Sequence, residues 1–229
     1  MKVLRAILIF INTCLMYLGI PLLGWGLGNL HGFFADGPRF LYALAVAALG
    51  IGVVWQTRYG MEGVHGGRGE VEKLVRKQTV VRYVMTLFLF ASLASLPFAD
   101  RRSLGVMPVG AVVRWIGVVL SAGGLLLVFW SGVALGRLYS PEVTIQKGHQ
   151  LITAGPYRVI RHPRYLGVML MASGVSLLFR SWVGLALCLP VLWVLIDRIR
   201  DEEAVLQQEF GPAWHSYTQR SWRLLPYLY

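Results

Sequence analysis

The chain has 229 residues, of which 56% are hydrophobic and only 14% are charged. A soluble domain carries about 25% charged residues, so this composition excludes a soluble fold of this size and indicates a membrane protein. The net charge of +11 would by itself suggest nucleic-acid binding, but the order of the basic residues along the chain favours membrane topology instead.

Four hydrophobic runs are long enough to cross the hydrocarbon core of a bilayer, which needs about 20 apolar residues per helix. They comprise residues 6–27, 40–55, 81–98 and 111–135. The first run is too long for the hydrophobic part of a signal peptide, and no small-x-small cleavage site ends it, so we expect a retained helix. Residues 1–135 are therefore predicted to form a transmembrane scaffold of four helices.

A fifth apolar region, residues 165–196, is interrupted around Arg180. We predict two helices of about 15 residues each, joined by a tight turn at residues 179–182. Helices of that length are short for a full crossing, so a re-entrant hairpin is an alternative. The whole pattern predicts an all-α fold, a polytopic transmembrane bundle of five or six membrane helices that ends in a helical hairpin.

The basic residues predict the orientation of this bundle. If Lys2 and Arg5 lie in the cytoplasm and six helices alternate, 17 of the 22 Lys and Arg residues fall on the cytoplasmic side. The five on the outer side are Arg39, Arg101, Arg102, Arg114 and Arg180. This is the positive-inside pattern, so both termini are predicted to be cytoplasmic. The basicity then reflects topology and contact with anionic membrane lipids, and no nucleic-acid partner is expected.

Residues 136–229 differ from the scaffold because polar and ionisable residues crowd against the membrane boundary there. His162 precedes Pro163, which disfavours helical geometry at His162 and suits the first turn of a following helix. The free N–H groups at the start of that helix attract an anion, and Arg161 and Arg164 strengthen the positive field.

Two tyrosines, Tyr157 and Tyr165, add aromatic rings with polar tips to this segment. Together with the arginines they predict a pocket for a ligand that has a carboxylate and a flat or cationic part. The alternative is that the Arg, His and Tyr side chains are ordinary interfacial anchors whose polar ends reach the lipid headgroups.

A second charged segment stands at the end of the last apolar helix. Arg198 and Glu202 are four residues apart and share one helix face. If the hairpin returns to the same membrane surface, this face lies beside residues 161–165, where Glu202 or Glu203 is placed to bind an ammonium group or ribose hydroxyls. A surface ion pair at the helix end is the alternative. We expect the helix itself to continue to about Phe210.

The order of these segments resembles that of a known family. The sequence GPYRVIRHPRYLG at 155–167, an apolar hairpin, RDEEAVLQQEFG at 200–211 and a terminal aromatic-proline segment are similar to the isoprenylcysteine carboxyl methyltransferase family and, more distantly, to the phospholipid methyltransferases. The resemblance covers about residues 136–229. It implies an integral membrane methyltransferase that binds S-adenosylmethionine from the cytosol without a Rossmann domain.

The resemblance also implies roles for single residues. Arg198 falls where the family places a substrate-binding arginine and Glu202 where it contacts the cofactor, so these two are the predicted catalytic residues. The predicted cofactor-binding residues are His149, Gln150, Leu151, Ile152, Tyr157, His162, Pro163, Arg164, Tyr165, Glu202 and Glu203. Residues 136–229 would then form the catalytic region, made of a loop, the hairpin and an amphipathic carboxyl-terminal helix around a cytosol-facing cofactor pocket. No metal-ligand spacing is present, so no metal site is predicted.

The implied reaction is direct methyl transfer to a nucleophile on an amphipathic or lipidic acceptor. A carboxylate acceptor needs a partner such as Arg198 to hold it, whereas an amine or thiol must lose a proton, with His149 or Glu203 as the base. Eukaryotic family members methylate the carboxylate of a prenylated cysteine. The compact, basic chain suits a bacterial homologue in the inner membrane, where such substrates are not expected, so the acceptor and the oligomeric state stay open.

Two other functions stay open at this point. The same ending resembles the carboxyl-terminal part of the NADPH-dependent sterol reductases, which are longer and have more helices. A non-catalytic lipid-binding protein built on the same bundle would tolerate replacement of Arg198, Glu202 and His162. The Glu202–Glu203 pair and residues 149–155 favour the methyltransferase.

Overall fold

The computed structural model describes residues 2–58, 71–74, 77–108, 110–136, 144–146 and 150–229. His149, which was predicted to bind the cofactor, lies outside the described residues. The helices are α1 Lys2–Cys14, α2 Ile20–Trp25, α3 Leu30–Phe34, α4 Gly37–Arg58, α5 Lys77–Arg101, α6 Ala111–Leu135, α7 Pro163–Leu178, α8 Trp182–Phe210 and α9 Pro212–Thr218. A π-helical segment, Leu15–Gly19, connects α1 to α2, and 3₁₀ turns occupy Leu27–Asn29 and Gly155–Arg158.

In the described part of the chain, six helical passes form the bundle. The protein is an integral membrane protein. Four stretches in the described part are long and apolar enough to cross a membrane: Ala6–Trp25, Gly37–Trp55, Ala111–Leu135 and Trp182–Phe210. The predicted run at 81–98 lies within the 25-residue α5, and α7 is a shorter apolar helix of 16 residues. The predicted helical membrane bundle is therefore confirmed.

Two short strands add to the bundle. The strand β1, Val71–Leu74, lies between α4 and α5, and β2, Thr144–Gln146, lies between α6 and α7. They pair antiparallel with an irregularity in the register. Strands of three or four residues inside polar connections are too short to show the alternation that predicts a strand, so the sequence predicted none here.

One end of the bundle is held together around a buried carboxylate, Asp100. Arg114 donates from Nη1 to Asp100 Oδ2 at 2.8 Å and from Nη2 to Oδ1 at 3.0 Å. Arg39 Nη1 lies 3.2 Å from Oδ2 and Arg180 Nε 2.9 Å from Oδ1. These ion pairs join the start of α4, the end of α5, the start of α6 and the turn between α7 and α8. We refer to this as the Asp100 end of the bundle.

The opposite end of the bundle is the Glu203 end, where α4, α6 and α8 finish and α5 and α7 begin. The passes thus alternate in direction, as the charge pattern predicts. Because α7 runs from the Glu203 end to the Asp100 end, the α7–α8 hairpin consists of two antiparallel passes through the bundle.

The hairpin turn lies where the sequence predicts it, and α8 continues beyond its apolar part as predicted. It contains 29 residues, because the charged residues that follow the apolar part are good helix formers and continue the helix. Its end at Phe210 was predicted. Gly211, in a left-handed conformation with φ of 45°, closes it by donating its N–H to the Gln207 carbonyl.

The core of the carboxyl-terminal half is the contact between α6 and α7, the most extensive between any two described elements. Small residues let the two backbones approach closely. A Cβ atom at Gly124 would lie 2.5 Å from the Gly167 carbonyl oxygen, and one at Gly174 would lie 2.3 Å from the Ser121 nitrogen. This packing fixes the start of α7 relative to the end of α6.

Candidate functional site

The start of α7 forms one wall of the candidate site. His162 is the residue before the helix, with φ of −124° and ψ of 55°, and Pro163 occupies the first turn. Both residues are buried. The non-helical His162 and the helix-starting Pro163 agree with the geometry that the His-Pro sequence predicts, and they aim the His162 ring toward α8.

The charged turn of α8 lies directly beside this wall. The Tyr165 hydroxyl donates to Glu202 Oε2 at 2.7 Å and accepts from Arg198 Nε at 2.8 Å. The Tyr165 ring stacks on His162, with the ring centroids 5.5 Å apart and the planes 13° apart. The structure therefore brings together four residues of the predicted set, and Tyr165 connects the two that were predicted to be catalytic.

Glu203 is surrounded by nitrogen atoms from two other segments of the chain, the start of α7 and the carboxyl-terminal segment. Its Oε1 lies 2.8 Å from Arg161 Nε and 3.3 Å from His162 Nε2, and its Oε2 lies 2.8 Å from Arg223 Nε. Both carboxylate oxygens are thus engaged by the protein, and the side chain is only 10% exposed. This arrangement indicates that Glu203 organises the site from within the fold.

Glu202 differs from its neighbour. Its side chain is 33% exposed, and His162 Nδ1 is 4.0 Å from Oε2. Apart from the Tyr165 hydroxyl on Oε2, no hydrogen bond from a described residue reaches this carboxylate. Of the adjacent pair, Glu202 therefore has the oxygen that can accept hydrogen bonds from a ligand.

The carboxyl-terminal segment closes one side of the site, and the sequence did not predict this contact. The Arg161 and His162 N–H groups donate to the Trp222 and Arg223 carbonyls at 2.7 and 3.0 Å, and the Trp222 N–H donates to the Val159 carbonyl at 3.0 Å. Arg161 Nη1 also donates to the Ser221 carbonyl. Arg223 lies 20 residues after Glu203 in the sequence, so no local spacing indicated that the two would pair.

Tyr157 is buried in the 3₁₀ turn Gly155–Arg158. Its carbonyl accepts a hydrogen bond of 2.7 Å from the Tyr217 hydroxyl. Burial raises the pKa of Tyr217 to about 12, so this hydroxyl stays neutral and keeps donating at physiological pH. The turn packs against the end of α6, since Gly155 lies close to Ala134 and Trp130.

The remaining predicted residues lie next to the cluster along the chain. Arg164 is half-buried in the first turn of α7, and residues 150–152 form an extended segment that leads into the 3₁₀ turn. Gln150 is exposed, whereas Leu151 and Ile152 are half-buried. Within the described part of the chain, no hydrogen bond connects the side chains of residues 150–152 to the cluster.

Comparison with known proteins relates the carboxyl-terminal part of the chain to membrane methyltransferases. The model of the phospholipid methyltransferase family matches residues 112–213, from the start of α6 into α9. A probable protein-S-isoprenylcysteine O-methyltransferase from Oryza sativa subsp. indica is 31% identical over 119 residues, which cover 51% of this chain and 62% of the rice protein. The carboxyl-terminal part of this chain is thus similar to the phospholipid methyltransferases and to the protein-S-isoprenylcysteine O-methyltransferases. The resemblance carried by the sequence motifs is thereby confirmed, although the match spans less than two thirds of the rice protein.

A solved structure extends the likeness to the membrane helices of the amino-terminal half. The chain is similar to the structure of the eukaryotic intramembrane Ras methyltransferase ICMT, an isoprenylcysteine carboxyl methyltransferase. The aligned region covers 99% of this chain and 86% of the ICMT chain, with a TM-score of 0.50 and 16% sequence identity. This likeness shows that the whole chain shares the fold of that membrane protein.

A sterol reductase also matches, over a shorter part of the chain. The Delta(14)-sterol reductase TM7SF2 of Mus musculus is 38% identical over 90 residues, which are 36% of this chain but only 20% of the reductase. The shared motifs thus occur in proteins of two activities, and the residues around the site have to distinguish them.

Proposed function

We propose that this protein is an integral membrane methyltransferase that uses S-adenosylmethionine to methylate an amphipathic or lipidic acceptor. The observation that carries the proposal is the Arg198–Tyr165–Glu202 arrangement, which places a cation and an accessible carboxylate at two sides of one hydroxyl. The match of residues 112–213 to a methyltransferase family model supports the same reaction class.

The residues present fit the proposed cofactor. S-adenosylmethionine has an ammonium group and ribose hydroxyls, and Glu202 offers a partly exposed carboxylate that can accept hydrogen bonds from either. The stacked rings of His162 and Tyr165 provide aromatic surface for a sulfonium. The cofactor site would consist of these residues together with residues 149–152, Tyr157, Pro163 and Arg164, with Glu203 holding the wall in place.

Arg198 is proposed to hold the acceptor. Its guanidinium Nε is fixed on the Tyr165 hydroxyl at 2.8 Å, and the residue is 8% exposed. A guanidinium in a site of low dielectric binds a carboxylate strongly and orients it. When bound, S-adenosylmethionine supplies an electrophilic methyl group, and a carboxylate acceptor needs no base to receive it.

The protein's own contribution is then orientation of the acceptor and exclusion of water. Glu203 was one of two predicted bases for an amine or thiol acceptor, but Arg161, His162 and Arg223 engage both of its oxygens. Since a base needs a free oxygen within reach of the proton, Glu203 is not suited to act as the base; the other predicted base, His149, lies outside the described residues.

We also propose an orientation of the protein in the membrane and separate roles for its two halves. The Glu203 end is proposed to face the cytoplasm of a bacterial inner membrane, with both termini on that side, because this orientation assigns 17 of the 22 Lys and Arg residues to the cytoplasmic side. Residues 1–135 serve as the scaffold and residues 136–229 as the catalytic region. The contact between α6 and α7 joins the two parts.

Binding of S-adenosylmethionine and of NADPH to the detergent-purified protein, measured by calorimetry, tests the proposal. We expect S-adenosylmethionine to bind and Glu202→Gln to weaken it at least tenfold, because a charge-assisted hydrogen bond contributes about 1.5–3 kcal/mol. Gln208→Ala, an exposed change on the same helix, should leave binding unchanged.

Other outcomes of this titration would change the assignment. NADPH binding without S-adenosylmethionine binding would favour the reductase, whose match covers only 20% of that protein. If neither nucleotide bound the folded wild-type protein, a non-catalytic lipid-binding role would be the better conclusion. Equal binding by wild type and Glu202→Gln would contradict the assignment of Glu202.

A further inference from the structure

A surface pocket of about 460 Å³ lies between the start of α7 and the carboxyl-terminal segment. It is lined by Arg161, Thr218, Gln219, Arg220, Ser221, Trp222, Arg223 and Tyr229. Arg161 and Arg223 also hold Glu203 beside the proposed cofactor site, but none of the lining residues is proposed to contact the cofactor or the acceptor. None of the described residues that line the pocket is acidic, so three arginines determine its charge.

The three arginines keep nitrogen atoms available to a ligand. Glu203 neutralises only one charge, which Arg161 and Arg223 share through their Nε atoms. The other contacts use Nη1 of Arg161, Nη1 of Arg223 and Nε of Arg220. Among described residues, no partner reaches Nη2 of Arg161 or Arg223, or either Nη atom of Arg220. The pocket therefore combines an excess of two positive charges with free N–H donors.

The pocket lies at the depth where a membrane helix ends. Arg161 is two residues before Pro163, the first residue of the apolar helix α7. The backbone hydrogen bonds between residues 159–162 and 222–223 fix the pocket wall at that level. Since α7 begins at the boundary between the hydrocarbon and the headgroups, the arginines stand in the headgroup layer.

Exposed apolar side chains follow the pocket directly in the chain. Leu225, Tyr227 and Leu228 are 45%, 86% and 81% exposed, whereas Leu224 is buried and anchors the segment. The Tyr227 ring packs on Trp222, a pocket residue, with the ring centroids 4.8 Å apart. An apolar edge next to an arginine-lined pocket matches a molecule that has an anionic head and a hydrocarbon tail.

We propose that this pocket binds the phosphodiester headgroup of an anionic membrane phospholipid. Guanidinium groups bind phosphate oxygens with well-oriented hydrogen bonds, and anionic lipid attracts basic residues close to the membrane surface. The acyl chains lie along Leu225 and Leu228. The pocket adjoins the proposed methyl-transfer site, because Arg161 and Arg223 both hold Glu203, whereas Arg220 lines the pocket without contacting Glu203.

Titration of the full-length protein in detergent with short-chain phosphatidylglycerol, and with phosphatidylcholine of the same chain length, followed by native mass spectrometry, tests the proposal. We expect a preference for phosphatidylglycerol that Arg220→Gln reduces about fivefold, the contribution of one basic residue near an anionic lipid surface. Arg220 is exposed and does not pair with Glu203, so the change leaves the fold intact. Arg158→Gln, an exposed arginine outside the pocket, should keep the preference.

Two further measurements identify the occupant. Leu228→Ser should weaken phosphatidylglycerol binding because it removes acyl contact. If sn-glycerol 3-phosphate bound as tightly as the lipid, the pocket would be a soluble-phosphate site and the lipid assignment would be wrong. Equal affinity for both lipids, or loss of S-adenosylmethionine binding in Arg220→Gln, would overturn the proposal of a separate lipid site.

Discussion

At the scale of single residues, the adjacent carboxylates Glu202 and Glu203 show what a sequence leaves undecided. Both were predicted to bind the cofactor, and their spacing on a helix separates them by about 100°. That rotation aims Glu203 at Arg161 and Arg223 and leaves Glu202 partly exposed beside Tyr165. The distinction depends on the path of the carboxyl-terminal segment, which no local pattern predicts.

Replacing each carboxylate by its amide, one at a time, distinguishes the structural role of Glu203 from the ligand-binding role of Glu202. Glu203→Gln leaves Arg161 and Arg223 without their counter-charge in a mostly buried position, so we expect a loss of about 3 kcal/mol, at the lower end of the range for a broken buried pair. Thermal unfolding in detergent should show a clearly lowered midpoint. Glu202→Gln should unfold within a degree or two of the wild type. Equal midpoints for the two variants would mean that the Glu203 network does not stabilise the site.

At the scale of the elements, apolar patterning predicted the helices well and their contacts poorly. The passes from residue 6 to residue 135, the turn after Phe179 and the end of α8 near Phe210 all follow from runs of apolar residues and from glycine. The prediction described α8 as an apolar helix of about 15 residues with a charged continuation to about Phe210, and the structure shows both as one helix of 29 residues. The strands β1 and β2 were missed because their pairing joins segments about 70 residues apart.

The close contact between α6 and α7 leads us to predict that a larger side chain at Gly124 destabilises the protein. A Cβ at Gly124 would meet the backbone of Gly167 and Met171 at 2.5–2.6 Å, whereas nothing lies within 4 Å of a Cβ at Gly123. Gly124→Val should therefore force the helices apart and cost about 1–3 kcal/mol, as overpacking in a core does. Gly123→Val is the matched control one residue away. Thermal unfolding of both variants is the measurement, and equal stability would show that α6 and α7 do not pack in this register.

At the scale of the whole molecule, the protein is organised around two buried carboxylates, one at each end of the bundle. Glu203 holds the site on one side, and Asp100 holds the other end through arginines that are 61, 14 and 80 residues away in sequence. The sequence placed Arg39, Arg114 and Arg180 together on one side of the membrane but gave no sign of a common partner. Charge distribution reports topology, whereas the pairing of charges depends on how the passes pack.

From the ion pairs of Asp100, we expect that replacing this residue lowers the stability of the protein without a direct effect on ligand binding. Asp100→Asn removes the counter-charge of three arginines while its side chain is fully buried, so we expect a loss of about 3–5 kcal/mol. Asp36→Asn is the control, because Asp36 lies 3.7–3.8 Å from Arg39 and Arg114 and is 23% exposed. Below its unfolding midpoint, Asp100→Asn should bind S-adenosylmethionine with wild-type affinity, since the proposed site lies a full pass of α7, about 24 Å, from Asp100. Weakened binding by the folded variant would show that the two ends are coupled through α7 and α8, and that the Asp100 end helps to set the geometry of the site.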